Sequence, residues 1–156
     1  MSNAPTAATN GRTTTRELYI AAVPERVYRA FTERDELQRW FVRNADIEPR
    51  PGGAYNLTWG PGQRVAGMIV ELDAPRRFVW DEDWVGGPGV TRVTVELEPL
   101  KHGTRLRLVH AGFGDGAAWD EQFASVERGW ATELEHLRVY LEHGRVKRWP
   151  TEEQSK

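Results

Sequence analysis

The sequence predicts an α+β domain in which a curved antiparallel sheet of seven strands wraps around one long C-terminal helix. Three observations predict this fold. Apolar and polar residues alternate in short segments that are separated by Gly/Pro turns roughly every ten residues. A single long stripe of helical period lies near the C-terminus. Helix signals between the first strand and the remaining strands indicate two further, short helices.

The first three elements follow from local patterns. Residues 16–22 alternate as a strand does. Pro24 suits the first turn of a helix, and the apolar spacing that follows predicts a helix over 24–32. A second short helix is expected over 34–41, with its large apolar side chains on one side. Two short helices joined this tightly must dock against a larger element.

From residue 45 onward the pattern changes to period two. The turn signals include PRPGG at 49–53, GPGQ at 60–63 and GGPG at 86–89. They divide the chain into six strands that begin near 45, 55, 65, 78, 90 and 104. Regular short strands of this kind indicate an antiparallel meander.

The last element is the long helix. Its apolar residues step by three or four positions, as a helix requires: Trp119, Phe123, Val126, Trp130, Leu134, Leu137 and Leu141. Gly144 is a typical helix terminator. We therefore expect a single domain over 16–144, preceded by a disordered tail (1–15) and followed by a charged tail (145–156).

Composition limits the function classes. The 156 residues carry 21 basic and 23 acidic side chains, a net charge of −2, which weighs against a nucleic-acid partner. No apolar run approaches the roughly 20 residues that span a bilayer. The absence of cysteine excludes thiol chemistry and Cys-ligated metals, and no histidine–carboxylate pattern completes a metal site. We expect no metal, no cofactor, no membrane insertion and a cytoplasmic location.

The predicted architecture raises the question of what lies between sheet and helix. A strongly curved sheet that grips one helix leaves room for a cavity that could hold a small apolar ligand. The alternative is that side chains fill the space completely, as protein interiors usually do. The seven tryptophans, four tyrosines and five phenylalanines suit either interpretation.

Strand alternation and the helical stripe identify the side chains that face this space. The candidate ligand-binding residues are Trp40, Phe41, Tyr55, Trp59, Phe78, Trp80, Trp84, Leu108, His110, Trp119, Phe123 and Trp130. Each could equally belong to the core, and Trp40 and Phe41 could either gate the cavity or plug the short helices onto the sheet. Glu82 and His110 are candidate acid/base groups or ligand anchors, or else both lie in solvent at strand ends.

Several segments together resemble the SRPBCC (START-like) superfamily, in the branch named for the activator of heat-shock protein 90 ATPase. They are AAVPERVYRAFT at 21–32, LQRWF at 37–41, GGAY at 52–55, GMIVE at 67–71, PRRFVW at 75–80, GTRLRLVH at 103–110 and GW at 129–130. The resemblance covers about residues 16–143 and implies the helix-grip fold. It implies no single activity, because members include ligand carriers, cyclases and chaperone regulators.

The leading expectation is therefore a binding protein for a small apolar, aromatic or lipid-like ligand, held between the sheet and the long helix. One alternative is an enzyme of the cyclase, aldolase or dehydratase kind that uses Glu82 and His110. Another is a chaperone-regulating or protein-interaction module, and self-association as a homodimer belongs to the same class of expectation.

Overall fold

The fold is one seven-stranded antiparallel sheet that wraps around a long helix, in a computed structural model that describes residues 11–149. The elements in chain order are β1 (Arg12–Ile20), α1 (Pro24–Thr32), α2 (Arg34–Trp40), β2 (Asn44–Ile47), β3 (Tyr55–Gly60), β4 (Gln63–Asp73), β5 (Arg77–Trp84), β6 (Val90–Leu100), β7 (Gly103–Phe113) and α3 (Ala117–His143). The strand order is β1-β7-β6-β5-β4-β3-β2. The predicted helix-grip architecture is confirmed.

The first strand begins earlier than the sequence pattern predicts. Its register runs from Arg12 opposite Phe113 to Ile20 opposite Thr104. Residues 12–15, which we assigned to the N-terminal tail, therefore belong to the sheet. Three of them are threonines, whose β-branched side chains suit a strand. The remainder of the predicted tail, 1–10, lies outside the described residues.

Helices α1 and α2 form a V-shaped unit that closes one end of the sheet. Pro24 occupies the first turn of α1, and the side chains of Val27, Ala30 and Phe31 on the same helix are buried. The indole N–H of Trp40, at the end of α2, donates a 2.8 Å hydrogen bond to the carbonyl of Ala30. This bond between two buried groups fixes the angle between the short helices.

The long helix has two differently packed halves. Its buried side chains, Trp130, Leu134, Leu137 and Tyr140, all lie in the C-terminal half. There they join a core cluster of residues from the sheet, α1 and α2. The N-terminal half contributes no fully buried side chain, and it contacts the sheet along β1 and β7, where Phe123 packs against Phe113 and Asp120 pairs with Arg12. The solid-core interpretation therefore describes the C-terminal half of α3.

A short segment after α3 returns along the molecule. Residues 145–149, which we name the C-terminal strap, were expected to be part of a free charged tail. Instead the Lys147 amide donates to the carbonyl of Arg39, and the Trp149 indole donates to the carbonyl of Gln38. The strap is therefore bound to α2, while the rest of the predicted tail, 150–156, lies outside the described residues.

No helix within residues 11–149 is long and apolar enough to cross a membrane.

Candidate functional site

A cavity of about 760 Å³ lies between the sheet and the N-terminal half of α3. The lining residues opposite the helix come from the residue after α2, the adjoining ends of β3 and β4, the end of β5, the β5–β6 loop and the last part of β7: Phe41, Trp59, Gln63, Glu82, Trp84, residues 86–88 and His110. Its helix side is Ala118, Glu121, Gln122, Ser125, Val126, Arg128, Gly129, Trp130 and Glu133. This volume falls within the range of pockets for drug-sized ligands, about 300–1,000 Å³.

Five of the twelve predicted ligand-binding residues line this cavity: Phe41, Trp59, Trp84, His110 and Trp130. Five others, Trp40, Tyr55, Phe78, Trp80 and Leu108, are buried in the core and do not line it. For Trp40 the plug interpretation describes the geometry better than the gate. The remaining two, Trp119 and Phe123, pack edge-on against Phe113 beside the cavity.

Four aromatic side chains form one connected part of the cavity wall: Phe41, Trp59, Trp84 and Trp130. Phe41 stacks on Trp130 with ring centroids 5.3 Å apart and meets Trp59 edge-on at 5.2 Å. Trp59 in turn stacks on Trp84 at 4.9 Å with the rings inclined by 21°. These contacts join α2, α3 and two strands in one continuous aromatic surface. Such a surface offers a large apolar contact area to a ligand at low cost in side-chain entropy.

Glu82 lies at the back of the cavity and is only 4% exposed. Its Oε1 accepts a 2.9 Å hydrogen bond from the indole N–H of Trp80. Burial raises the pKa of this carboxyl to about 7, because the charged form loses its hydration. The Trp80 hydrogen bond opposes that rise, as does the indole of Trp84, which lies near the carboxyl without a hydrogen bond of ordinary geometry.

His110 is 1% exposed and has a hydrogen-bond partner at each ring nitrogen. The Trp130 indole, which can only donate, lies 2.9 Å from Nδ1. Nδ1 is therefore the acceptor, and the proton of the neutral ring is on Nε2, 2.7 Å from the Thr91 hydroxyl. Burial lowers the His110 pKa to about 3, so the ring is uncharged near neutral pH.

The two candidate acid/base groups are close together but differ in their roles. The Nε2 of His110 lies 3.8 Å from Oε2 of Glu82. The interpretation that both groups lie in solvent is wrong, because the strand ends that carry them are covered by α3 and the β5–β6 loop. Glu82 retains a titratable carboxyl on the cavity, whereas His110 is a fixed link between β6, β7 and α3.

Sequence reasoning missed most of the helix side of the cavity. Gln122, Val126, Gly129 and Glu133 line it and step by four, three and four positions. A helical period of this kind was the available signal. Three of these residues are not large apolar side chains, so the apolar stripe of the helix does not mark the face that lines the cavity. The glycines of the β5–β6 loop were interpreted only as a turn.

The fold and the cavity together define a helix-grip domain with a ligand-sized space against its long helix. Residues 21–142 match the family model described as activator of Hsp90 ATPase homolog 1-like protein. The match spans most of the chain, and the chain belongs to this family. No curated protein sequence matches it.

Solved structures agree with this assignment of fold. Protein MLL2253 from Mesorhizobium loti is 22% identical over 86% of this chain and 100% of its own, with a TM-score of 0.77. CalU16 from Micromonospora echinospora is 25% identical over 86% of this chain and 78% of its own, with a TM-score of 0.71. The Aha1 dimer from Colwellia psychrerythraea is 21% identical over 85% of this chain and 98% of its own, with a TM-score of 0.73.

Proposed function

We propose that the protein binds a small molecule with an apolar or aromatic body in the cavity between the sheet and α3. The observation that carries this proposal is the 760 Å³ space itself, with aromatic walls and one buried carboxyl. Close packing is the rule in protein interiors, so an unfilled space of this size beside a tight core favours a ligand site. We keep the cytoplasm as the expected location.

The experiment uses a neutral fluorescent dye, N-phenyl-1-naphthylamine, whose emission rises in apolar surroundings. We expect saturable binding to the wild-type protein. Val126 lines the cavity, so Val126→Trp should fill part of the space and raise the Kd at least tenfold. The matched control is Ala124→Trp, which adds the same side chain at an exposed position of α3 outside the cavity.

The control is expected to bind the dye as the wild type does, with both variants folded by circular dichroism. Equal dye binding by Val126→Trp and Ala124→Trp, or no saturable binding by the wild type, would contradict the proposal. Native mass spectrometry of the protein purified from its own host then identifies the natural ligand by mass.

Acid/base catalysis is a second candidate function, and the Glu82 carboxyl is the observation that favours it. A pKa of about 7 suits a group that accepts and returns protons near neutral pH. His110 does not fit the second role, because both its nitrogens have structural partners. Turnover of a bound compound that is lost in Glu82→Gln would favour this candidate.

The interaction functions depend on the relatives alone. Chaperone regulation is what the family description states of the protein for which the family is named. Dimerisation is what is described for the Colwellia protein. Both stay predictions for this chain.

A further inference from the structure

Two adjacent carboxylates on β5 are buried in different ways. Asp81 is 5% exposed and receives two hydrogen bonds from the guanidinium of Arg92, at 2.7 and 3.1 Å. Glu82 is buried to the same extent on the other face of the strand, yet no Lys or Arg among residues 11–149 makes an ion pair with it. Buried carboxylates are normally paired, so the missing cation of Glu82 calls for an explanation.

The groups around Glu82 do not provide that cation. His110 on β7 is uncharged. The Tyr55 hydroxyl on β3 donates to the carbonyl of Phe31, and burial raises the pKa of Tyr55 well above its usual value. On α3, Glu133 is itself paired with Lys147. Arg128 is exposed at the edge of the cavity and has no ion-pair partner among the described residues, and Glu121 adds negative charge there.

We propose that the ligand supplies the missing partner: it carries a cationic nitrogen that pairs with the Glu82 carboxylate at the back of the cavity. This inference rests on the proposed function and specifies its ligand class as an organic amine or quaternary ammonium with an apolar body. Glu82 is the polar group that orients the ligand, and the aromatic wall holds the body.

Burial alone favours the neutral carboxyl of Glu82, and two features of its surroundings suit a cationic partner. The Trp80 indole donates to the carboxyl, and a donor aimed at a carboxyl stabilises its ionised form. Trp59, Trp84 and Trp130 line the same cavity, and indole rings attract cations through their negative faces. A carbonyl ligand would instead need Glu82 protonated and would gain nothing from those faces.

The test compares two probes of nearly equal shape, phenyltrimethylammonium and tert-butylbenzene, as competitors of the neutral dye. The charge of the ammonium probe does not change with pH. With a pKa of about 7, the ionised fraction of Glu82 rises from about a tenth at pH 6 to about nine tenths at pH 8. If only ionised Glu82 binds the probe, the affinity follows this fraction. We expect the affinity for phenyltrimethylammonium to rise about ninefold over that interval, and the affinity for tert-butylbenzene to stay level.

The variant Glu82→Gln should abolish the pH dependence and weaken binding of the ammonium probe. Asp83→Asn removes a carboxylate from the neighbouring, exposed position of β5 and should leave the ninefold rise intact. An ammonium affinity that is flat with pH, or unchanged in Glu82→Gln, would overturn the inference.

The outcomes separate the inference from the function beneath it. If the dye binds but the ammonium probe is not preferred at high pH, the proposal of a cationic ligand is wrong and the proposed binding function is still supported. Tighter binding of the neutral acceptor acetophenone at pH 6 than at pH 8 would assign a protonated Glu82 as a donor instead. Absence of dye binding in the wild type removes both proposals.

Discussion

Burial affects the two most deeply buried ionisable side chains of the cavity, Glu82 and His110, in opposite directions. The carboxyl of Glu82 is held toward its neutral form by a raised pKa, and the imidazole of His110 is held neutral by a lowered one. Both groups therefore avoid an unpaired charge in an apolar setting. Of these two groups, only Glu82 changes its protonation state near neutral pH.

At the residue scale, the hydrogen bonds of His110 lead to a spectroscopic prediction. We expect the ring to be uncharged from pH 5 to pH 8, with the proton on Nε2, because Nδ1 accepts from Trp130. Long-range ¹H–¹⁵N NMR distinguishes the two ring nitrogens and measures this directly. His102, which is exposed, provides the internal comparison. A protonation step at His110 within that interval would contradict the assignment.

Sequence patterns placed Glu82 and His110 on inward faces but could not determine how deeply they are buried. Strand alternation fixes the face of each side chain, and both assignments follow from it. Depth depends on what covers the strand end. Here the cover consists of the β5–β6 loop and the N-terminal half of α3, which lie up to about fifty residues away in sequence. No local pattern contains that information.

At the element scale, the C-terminal strap joins the two helices that bound the cavity. The ammonium of Lys147 donates to the carbonyl of Phe41 at 3.2 Å and pairs with Glu133 on α3 at 3.1 Å. Phe41 and Glu133 both line the cavity. One side chain therefore connects the end of α2 to α3 beside the ligand site, and its own exposure is only 16%.

We expect Lys147→Met to loosen the end of α2 while the fold persists. The substitution removes the ion pair and leaves the Phe41 carbonyl without this donor. Hydrogen exchange of the Phe41 and Val42 amides, which bond to the carbonyl of Leu37, should accelerate about tenfold, equivalent to about 1.4 kcal/mol. The control Lys101→Met removes an exposed lysine from the β6–β7 turn. Unchanged exchange at Phe41 and Val42 would show that the strap does not hold α2.

The sequence pattern did not predict the C-terminal strap or the early start of β1, and the reason is the same for both. Both lie in polar segments near the ends of the chain, where composition resembles that of a free tail. Thr13 to Thr15 become a strand because β7 offers its unpaired edge, and Lys147 is fixed because a carboxylate and a carbonyl converge on it. In both places, contacts with distant parts of the chain determine the structure, and the local sequence pattern does not show those contacts.

At the scale of the whole molecule, Glu82 links global stability to pH. Its folded-state pKa of about 7 lies above the unfolded value of 4.5, so the folded state retains the proton longer. The contribution of Glu82 therefore lowers the free energy of unfolding as pH rises from about 4.5 to 7. The lowered pKa of His110 acts in the opposite direction, because its effect increases stability as pH rises from about 3 to 6.5.

The variant Glu82→Gln isolates the carboxyl contribution, since His110 is present in both proteins. We expect the free energy of unfolding of the variant, relative to that of the wild type, to increase by about 2 kcal/mol between pH 5 and pH 8. Urea unfolding at the two pH values measures the gain. Asp83→Asn, at an exposed site, should show a stability difference that changes little with pH. A constant difference for Glu82→Gln would mean that the carboxyl is not held neutral by burial.

The order and type of the elements could be predicted well because each depends on a local period. The stepped apolar residues of α3 and the turn signals between strands fix the meander and its helix. The division of α3 into a packed half and a cavity half could not be predicted in this way. Its apolar stripe is continuous from Trp119 to Leu141, so the stripe itself does not mark where the packed half begins.

The stacked pair formed by Trp59 and Trp84 has an optical consequence. Two indoles whose ring centroids lie 4.9 Å apart are close enough for their electronic transitions to couple, and we expect paired bands of opposite sign in circular dichroism where the two transition dipoles are not parallel. Both rings stand in the cavity wall. A molecule that enters and tilts either ring changes that signal without any added dye. If the proposed ligand binds here, this pair of indoles reports its entry.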